Sequence, residues 1–304
     1  MTSTSPGGVI APMLTPFTAA AEPDAGRFVE HARWLLAVGC TGLAPFGTTS
    51  EGNSLSVAER KVLLISLLAA GIDPAQLLPG TGLCSVPETA DLTKHAVGLG
   101  CCGVLILPPF YYKGVSDEGL YRHFAGVIER VADSRLRVYL YNIPALTQIG
   151  FSLALIERLR RDFPHIVVGL KDSSDDWSYT SALIAAFPDF EVYSSSETRL
   201  LDNLRAGGAG CISATANVNG GLLRRIFDAP EAADALQHQA AAVRMEIQSR
   251  PLIPATKAVI AHFRKDPNWR NTRAPLEPMN EADATQMAAK LSALGLNLEF
   301  PPEA

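Results

Sequence analysis

Lys171 ends a short apolar run, His165-Ile166-Val167-Val168-Gly169-Leu170-Lys171, and the small polar residues Asp172, Ser173 and Ser174 follow it. A lysine at the mouth of a buried strand is desolvated, loses its proton more readily than one in water, and as a neutral amine attacks ketones. The placement points to Schiff-base chemistry: condensation with a 2-keto acid gives an iminium that accepts the electrons of a breaking carbon–carbon bond. The competing reading is a lysine that snorkels at a strand end. Its position in the fold decides between the two.

Short apolar or β-rich runs alternate along the chain with longer helical patterns, the signature of βα units around a parallel sheet. The strand candidates are 8–14, 42–46, 77–81, 103–107, 137–141, 166–170, 191–195 and 210–213. Helical spacing follows each, as over 117–132 and 152–160. Ser56 with Glu59, and Ser116 with Asp117 and Glu118, supply capping side chains and early carboxylates for orphan N–H groups. This order implies an α/β protein built as a closed (β/α)₈ TIM barrel over residues 1–229. A C-terminal helical extension over 230–304 follows, with helices expected over 231–248 and 281–294. An open doubly wound sheet would need a glycine-rich loop after the first strand, and Ala11-Pro12-Met13-Leu14-Thr15-Pro16 has no glycine. Gly98, Gly100 and Gly103 do form a G-x-G-x-x-G, but between a helix and a strand, the reverse of the order a dinucleotide loop requires.

In such a barrel the carboxyl ends of the strands and the loops after them form the active site. Those positions hold Thr15, Thr48, Thr49, Tyr112, Tyr141, Lys171, Ser173, Ser196, Glu197 and the stretch 213–217. Tyr141, one strand from Lys171, can relay protons at the same centre; the alternative is a core aromatic with a locally satisfied hydroxyl. Thr48 and Thr49 either cap the next helix or, with free backbone N–H groups, make a nest for a substrate carboxylate. Glu51 reads as a turn or capping carboxylate rather than a general base. Tyr112 is either local packing or a reach into a neighbouring subunit. No cluster of arginine or lysine follows strands seven and eight, so a phosphate handle is not expected.

Composition narrows the partners. With 47% hydrophobic and 19% charged residues the chain can bury a large core, and a net charge of −5 leaves no cationic excess to hold nucleic acid. No run approaches the roughly 18 apolar residues of a membrane span, and residues 1–6 lack a charged region followed by an apolar one. A cytoplasmic location is expected. The five cysteines are odd in number and mostly in apolar surroundings, as reduced core thiols are. Neither C-x-x-C nor a helical pair of histidines occurs, so no metal and no other cofactor is expected.

Four segments in barrel order, Gly47-Thr48-Thr49-x-Glu51, Tyr141-Asn142-Ile143-Pro144, Gly169-Leu170-Lys171 and Gly207-Gly208-Ala209-Gly210-Cys211-Ile212-Ser213, resemble the dihydrodipicolinate synthase and N-acetylneuraminate lyase family of pyruvate-handling class I aldolases. The resemblance implies that Lys171 forms the imine, Tyr141 shuttles protons, and Thr48 and Thr49 hold the pyruvyl carboxylate. It also implies that Tyr112 acts across a subunit interface in a homotetramer of paired dimers. Synthases of the lysine precursor resemble Tyr-Asn-x-Pro-x-Arg, whereas Leu146 stands at the arginine's place, removing a bidentate partner for the second substrate's carboxylate. Tyr141-Asn142-Ile143-Pro144-Ala145-Leu146 is similar instead to the sialic acid lyase and 2-keto-3-deoxy sugar acid aldolase branch, with Ser173, Ser196 and Glu197 placed for sugar hydroxyls. The Ile212–Asn217 stretch is more synthase-like, and Ser50 replaces a usual glycine. The expected reaction is cleavage of a 2-keto-3-deoxy sugar acid or sialic-acid-like substrate to pyruvate and an aldehyde. The rivals are a dihydrodipicolinate synthase, a dehydratase using the same imine, and a non-enzymatic keto-acid sensor.

Overall fold

The structure, a computed structural model, describes residues 7–300; the limits expected at residues 1 and 304 and the opening segment 1–6 lie outside the described residues. Among the described residues there are seven strands: β1 Gly8–Ala11, β2 Gly42–Leu43, β3 Val104–Ile106, β4 Val138–Asn142, β5 Val167–Asp172, β6 Glu191–Ser194 and β7 Gly210–Ile212. They pair in parallel in the order β2-β1-β7-β6-β5-β4-β3.

The edges β2 and β3 are joined by the segment 77–81. Leu78 N–H donates to Leu43 O at 2.8 Å, Thr81 N–H to Leu105 O at 2.9 Å, and Leu105 N–H to Pro79 O at 2.9 Å, which closes the sheet into a (β/α)₈ barrel. The strand expected over 77–81 is reduced to single parallel bridges, Leu43 with Leu77 and Gly80 with Leu105. Pro79 sits between them without an N–H to give the ladder. The first strand likewise stops at Ala11, one residue before Pro12.

Ile10, Leu78, Leu105, Tyr139, Tyr193 and Ile212 belong to one cluster that fills the barrel. Tyr139 and Tyr193 both donate their hydroxyls to Glu191 Oε2 at 3.0 Å. Gly169 makes room for this layer, since a Cβ there would lie 2.5 Å from Tyr139 Cδ1 and 2.6 Å from Glu191 O. A second, larger cluster lies between the sheet and the helices.

The helices are α1 Ala25–Ala37, α2 Val57–Ala69, α3 Val86–Gly98, α4 Asp117–Val131, α5 Pro144–Thr147, α6 Leu153–Asp162, α7 Trp177–Ala186, α8 Leu200–Arg205, α9 Ala216–Asp228, α10 Asp234–Gln248, α11 Leu252–Arg264 and α12 Glu281–Ala293. Ser56 and Glu59 form the reciprocal capping box at α2, and Ser116 accepts from Gly119 N–H at α4. The helix expected over 231–248 begins instead as a separate 3₁₀ turn, Pro230–Ala232, before α10. Helices α10, α11 and α12 pack on one another, and α10 and α11 also pack on α9. Among the described residues no helix is long and apolar enough to cross a membrane.

Candidate active site

Tyr141 on β4 is in register with Lys171 on β5, and Lys171 with Tyr193 on β6. Lys171 and Tyr141 are 4% and 3% exposed, and Lys171 Nζ lies 4.2 Å from the centre of the Tyr141 ring. Strand alternation sends Asp172 to the other side of the sheet from Lys171. There its carboxylate accepts from Asn142 Nδ2 at 2.8 Å, Ser174 N–H at 3.0 Å and Oγ at 2.9 Å, and Thr180 Oγ1 at 2.6 Å. The Asn142–Asp172 bond pins the ends of β4 and β5 together, so the lysine and the tyrosine are held by backbone and by a buried polar network.

The Tyr141 hydroxyl donates to Thr48 Oγ1 at 3.2 Å. Burial pushes the phenol's pKa up, but the charge of Lys171 and hydrogen bonding with Thr48, Lys171 and Ser173 outweigh it and bring it below the ordinary tyrosine value. A phenol so placed gives up its proton more readily than one in water. That is the property a proton relay beside an amine needs.

Thr48 and Thr49 belong to a compact turn closed by Gly52 N–H to Gly47 O and Glu51 N–H to Thr48 O, both 3.0 Å. The left-handed residue of the turn is Glu51, φ +55°, so Ser50 meets no demand for glycine. Glycine is required one place later, where a Cβ on Gly52 would lie 2.1 Å from Phe46 O. Thr15 Oγ1 donates to Ser50 O at 2.7 Å and so supports the turn from β1's side. Glu51 makes no side-chain cap; its buried carboxylate pairs with Lys257 and accepts from Arg273 N–H at 2.8 Å.

A cavity of about 700 Å³ opens over Lys171, and Thr48, Thr49, Tyr141, Ser173, Ser196 and Ile212 line it with the lysine. Of the strand-end positions expected in the site, Thr15, Tyr112, Glu197 and, within 213–217, all but Ala214 do not line it. Glu197 is fully buried and accepts from Ser213 and Thr215, with Arg244 Nη1 3.7 Å from its Oε2. Its lone pairs are engaged below the cavity. Tyr112 is 72% exposed and meets only the edge of Tyr111 in ring contact, centres 5.3 Å apart. Leu146, 62% exposed, does line the cavity.

Two guanidiniums in the lining went unanticipated. Arg199 closes the 3₁₀ turn Glu197–Arg199, and Arg244 comes from α10. Arg244 Nε donates to Gln248 Oε1 at 2.8 Å and Nη1 to Ser213 Oγ at 3.3 Å. The expectation of no phosphate handle rested on the loops after the last two strands, whereas Arg244 reaches the lining from α10. The sole local signal is the i, i+4 spacing of Arg244 and Gln248, which puts both on one helix face.

Residues 5–294 match the model of the dihydrodipicolinate synthetase family. A 4-hydroxy-tetrahydrodipicolinate synthase of Acidiphilium cryptum is 32% identical over 302 residues, covering 95% of this chain and 98% of that protein. Dihydrodipicolinate synthase from Agrobacterium tumefaciens superposes with a TM-score of 0.89 at 34% identity, over 94% of this chain and 99% of that one. YagE of E. coli K12, a prophage protein of the same family crystallised in complex with pyruvate, gives a TM-score of 0.87 at 27% identity over 95% and 99% of the two chains.

Proposed function

The chain belongs to the dihydrodipicolinate synthetase family, whose members are pyruvate-dependent lyases, and from that premise we propose that it cleaves a 2-keto-3-deoxy sugar acid to pyruvate and an aldehyde. The observation that carries the reading is the buried pair of Lys171 and Tyr141, in register on adjacent strands and joined to Thr48 by the tyrosine hydroxyl. Lys171 Nζ attacks C2 of the keto acid, and loss of water leaves an iminium. Tyr141 takes the proton of the C4 hydroxyl while the C3–C4 bond breaks; its electrons enter the iminium, giving an enamine and the free aldehyde. Protonation at C3 and hydrolysis then release pyruvate and regenerate the amine. Thr48 and Thr49 hold the substrate carboxylate so that C2 faces the nitrogen.

The branch is supported by the lining. A cavity of about 700 Å³ is far larger than pyruvate needs, and Ser173, Ser195, Ser196 and Thr198 offer hydroxyls along it. Leu146 offers no charge where a synthase would present arginine. The names of the synthase relatives favour the second reading, condensation of pyruvate with aspartate semialdehyde, for which Arg244 would have to replace the missing guanidinium. On either reading Tyr111 and Tyr112, 73% and 72% exposed, are a ready contact for a neighbouring subunit in a homotetramer.

Borohydride with pyruvate, followed by peptide mass mapping, tests the chemistry: the expected result is a reduced adduct on Lys171, and its absence defeats the lyase mechanism. Pyruvate release from a panel of 2-keto-3-deoxy sugar acids and sialic acid, run beside condensation with aspartate semialdehyde, tests the branch. Robust turnover of the semialdehyde would overturn it.

A further inference from the structure

From the geometry beneath the threonine turn we infer that Lys257, on α11, is a positioning residue for the substrate-carboxylate loop 47–52 and acts through Glu51. The inference rests on the keto-acid reading of Thr48 and Thr49.

Lys257 and Glu51 form an ion pair in which both side chains are 0% exposed. Taking both charges out of water is expensive, and apolar residues of similar size often serve stability as well or better. Such a pair therefore invites a role in conformation. Its surroundings fit that role. Lys257 Nζ also donates to Asn271 O at 2.8 Å and lies 4.5 Å from the Phe17 ring centre. Glu51 receives Arg273 N–H at 2.8 Å on its other oxygen. Its own N–H closes the turn on Thr48 O at 3.0 Å, which links the ion pair directly to the backbone of the threonine whose hydroxyl meets Tyr141. The left-handed backbone of Glu51, φ +55°, is uncommon for a residue with a side chain and persists where surrounding contacts enforce it. Lys257 and Arg273 N–H are two such contacts, and both come from beyond the barrel strands.

The test uses the full chain and pyruvate. The amount of borohydride-trapped adduct on Lys171 is measured against pyruvate concentration for the wild type, Lys257→Met and Lys257→Arg. The half-saturating concentration does not depend on what fraction of a preparation is folded, so a merely structural role leaves it unchanged. The expected result is a rise of about ten- to a hundredfold in Lys257→Met, with the adduct still reached at saturation and partial recovery in Lys257→Arg. If Lys257→Met does not fold, Glu51→Gln, which keeps an acceptor and loses the charge, carries the same measurement. An unchanged half-saturation beside a normal wild-type curve overturns the positioning role alone. No adduct in the wild type overturns the keto-acid reading, and with it the ligand assigned to this loop.

Discussion

Tyr141 is under two opposed influences, burial that favours the neutral phenol and the Lys171 charge with neighbouring hydroxyls that favour the phenolate, and the second prevails. As the base that takes the C4 hydroxyl proton, Tyr141 must be ionised to act, so the acid limb of kcat/KM should lie below the ordinary phenol range. Thr48→Val removes one of the lowering contacts, so the limb should move to higher pH; a pH–rate profile in which it stays put would remove Tyr141 from the proton relay. At this scale the sequence was informative where a residue's role depends on its own strand. Lys171, Tyr141 and the two threonines could be placed from the run of strands, because period-two alternation and strand-end position are local properties. Glu197 and Glu51 could not, because the partners of a buried carboxylate are chosen by the fold: Ser213, Thr215 and Arg244 for one, Lys257 for the other.

Strand β5 shows how an element is shaped to present its lysine. Gly169 faces Tyr139 and the carbonyl of Glu191 so closely that an added methyl has nowhere to go, and the backbone oxygen cannot rotate aside. Gly169→Ala should lower stability by about 1–3 kcal/mol, the usual cost of overpacking. It should lower pyruvate-dependent trapping at Lys171 too, since the displaced strand carries the lysine; chemical denaturation and borohydride trapping read the two effects. Eight βα units were legible because each apolar run is bounded by turn residues and followed by helical spacing. The ragged third stave was not, since Pro79 leaves hydrophobicity intact while removing the N–H that a ladder needs. Ser50 stands where a glycine is usual, yet the turn's left-handed backbone falls at Glu51 and its close approach at Gly52, and residue type alone does not show which position bears the constraint.

Across the whole molecule, buried polar groups from distant segments tie the barrel's ends together. His31 on α1 is fully buried, with Nε2 2.9 Å from Asn217 Oδ1 and its ring against Trp34 and Trp269. Burial pulls its pKa down to about 3, the Asn217 bond opposing and the Arg264 charge reinforcing the shift. Since the unfolded chain takes up this proton near pH 6.5 and the folded chain does not until about 3, the unfolded state binds more protons in that window. The contribution is present above pH 6.5 and is lost as the pH falls toward 3, amounting to on the order of 2 kcal/mol between pH 7 and pH 5. Denaturation at several pH values should show a shallower acid slope in His31→Asn than in the wild type; equal slopes would assign the acid sensitivity elsewhere.

The ion pair of Glu51 and Lys257 also sets an order of events in biosynthesis. Its cation is encoded 206 residues after its anion. While the ribosome is still translating the strands, the Glu51 carboxylate has no counter-charge from Lys257, and the threonine turn gains its final support only when α11 and the following segment through Arg273 have left the exit tunnel.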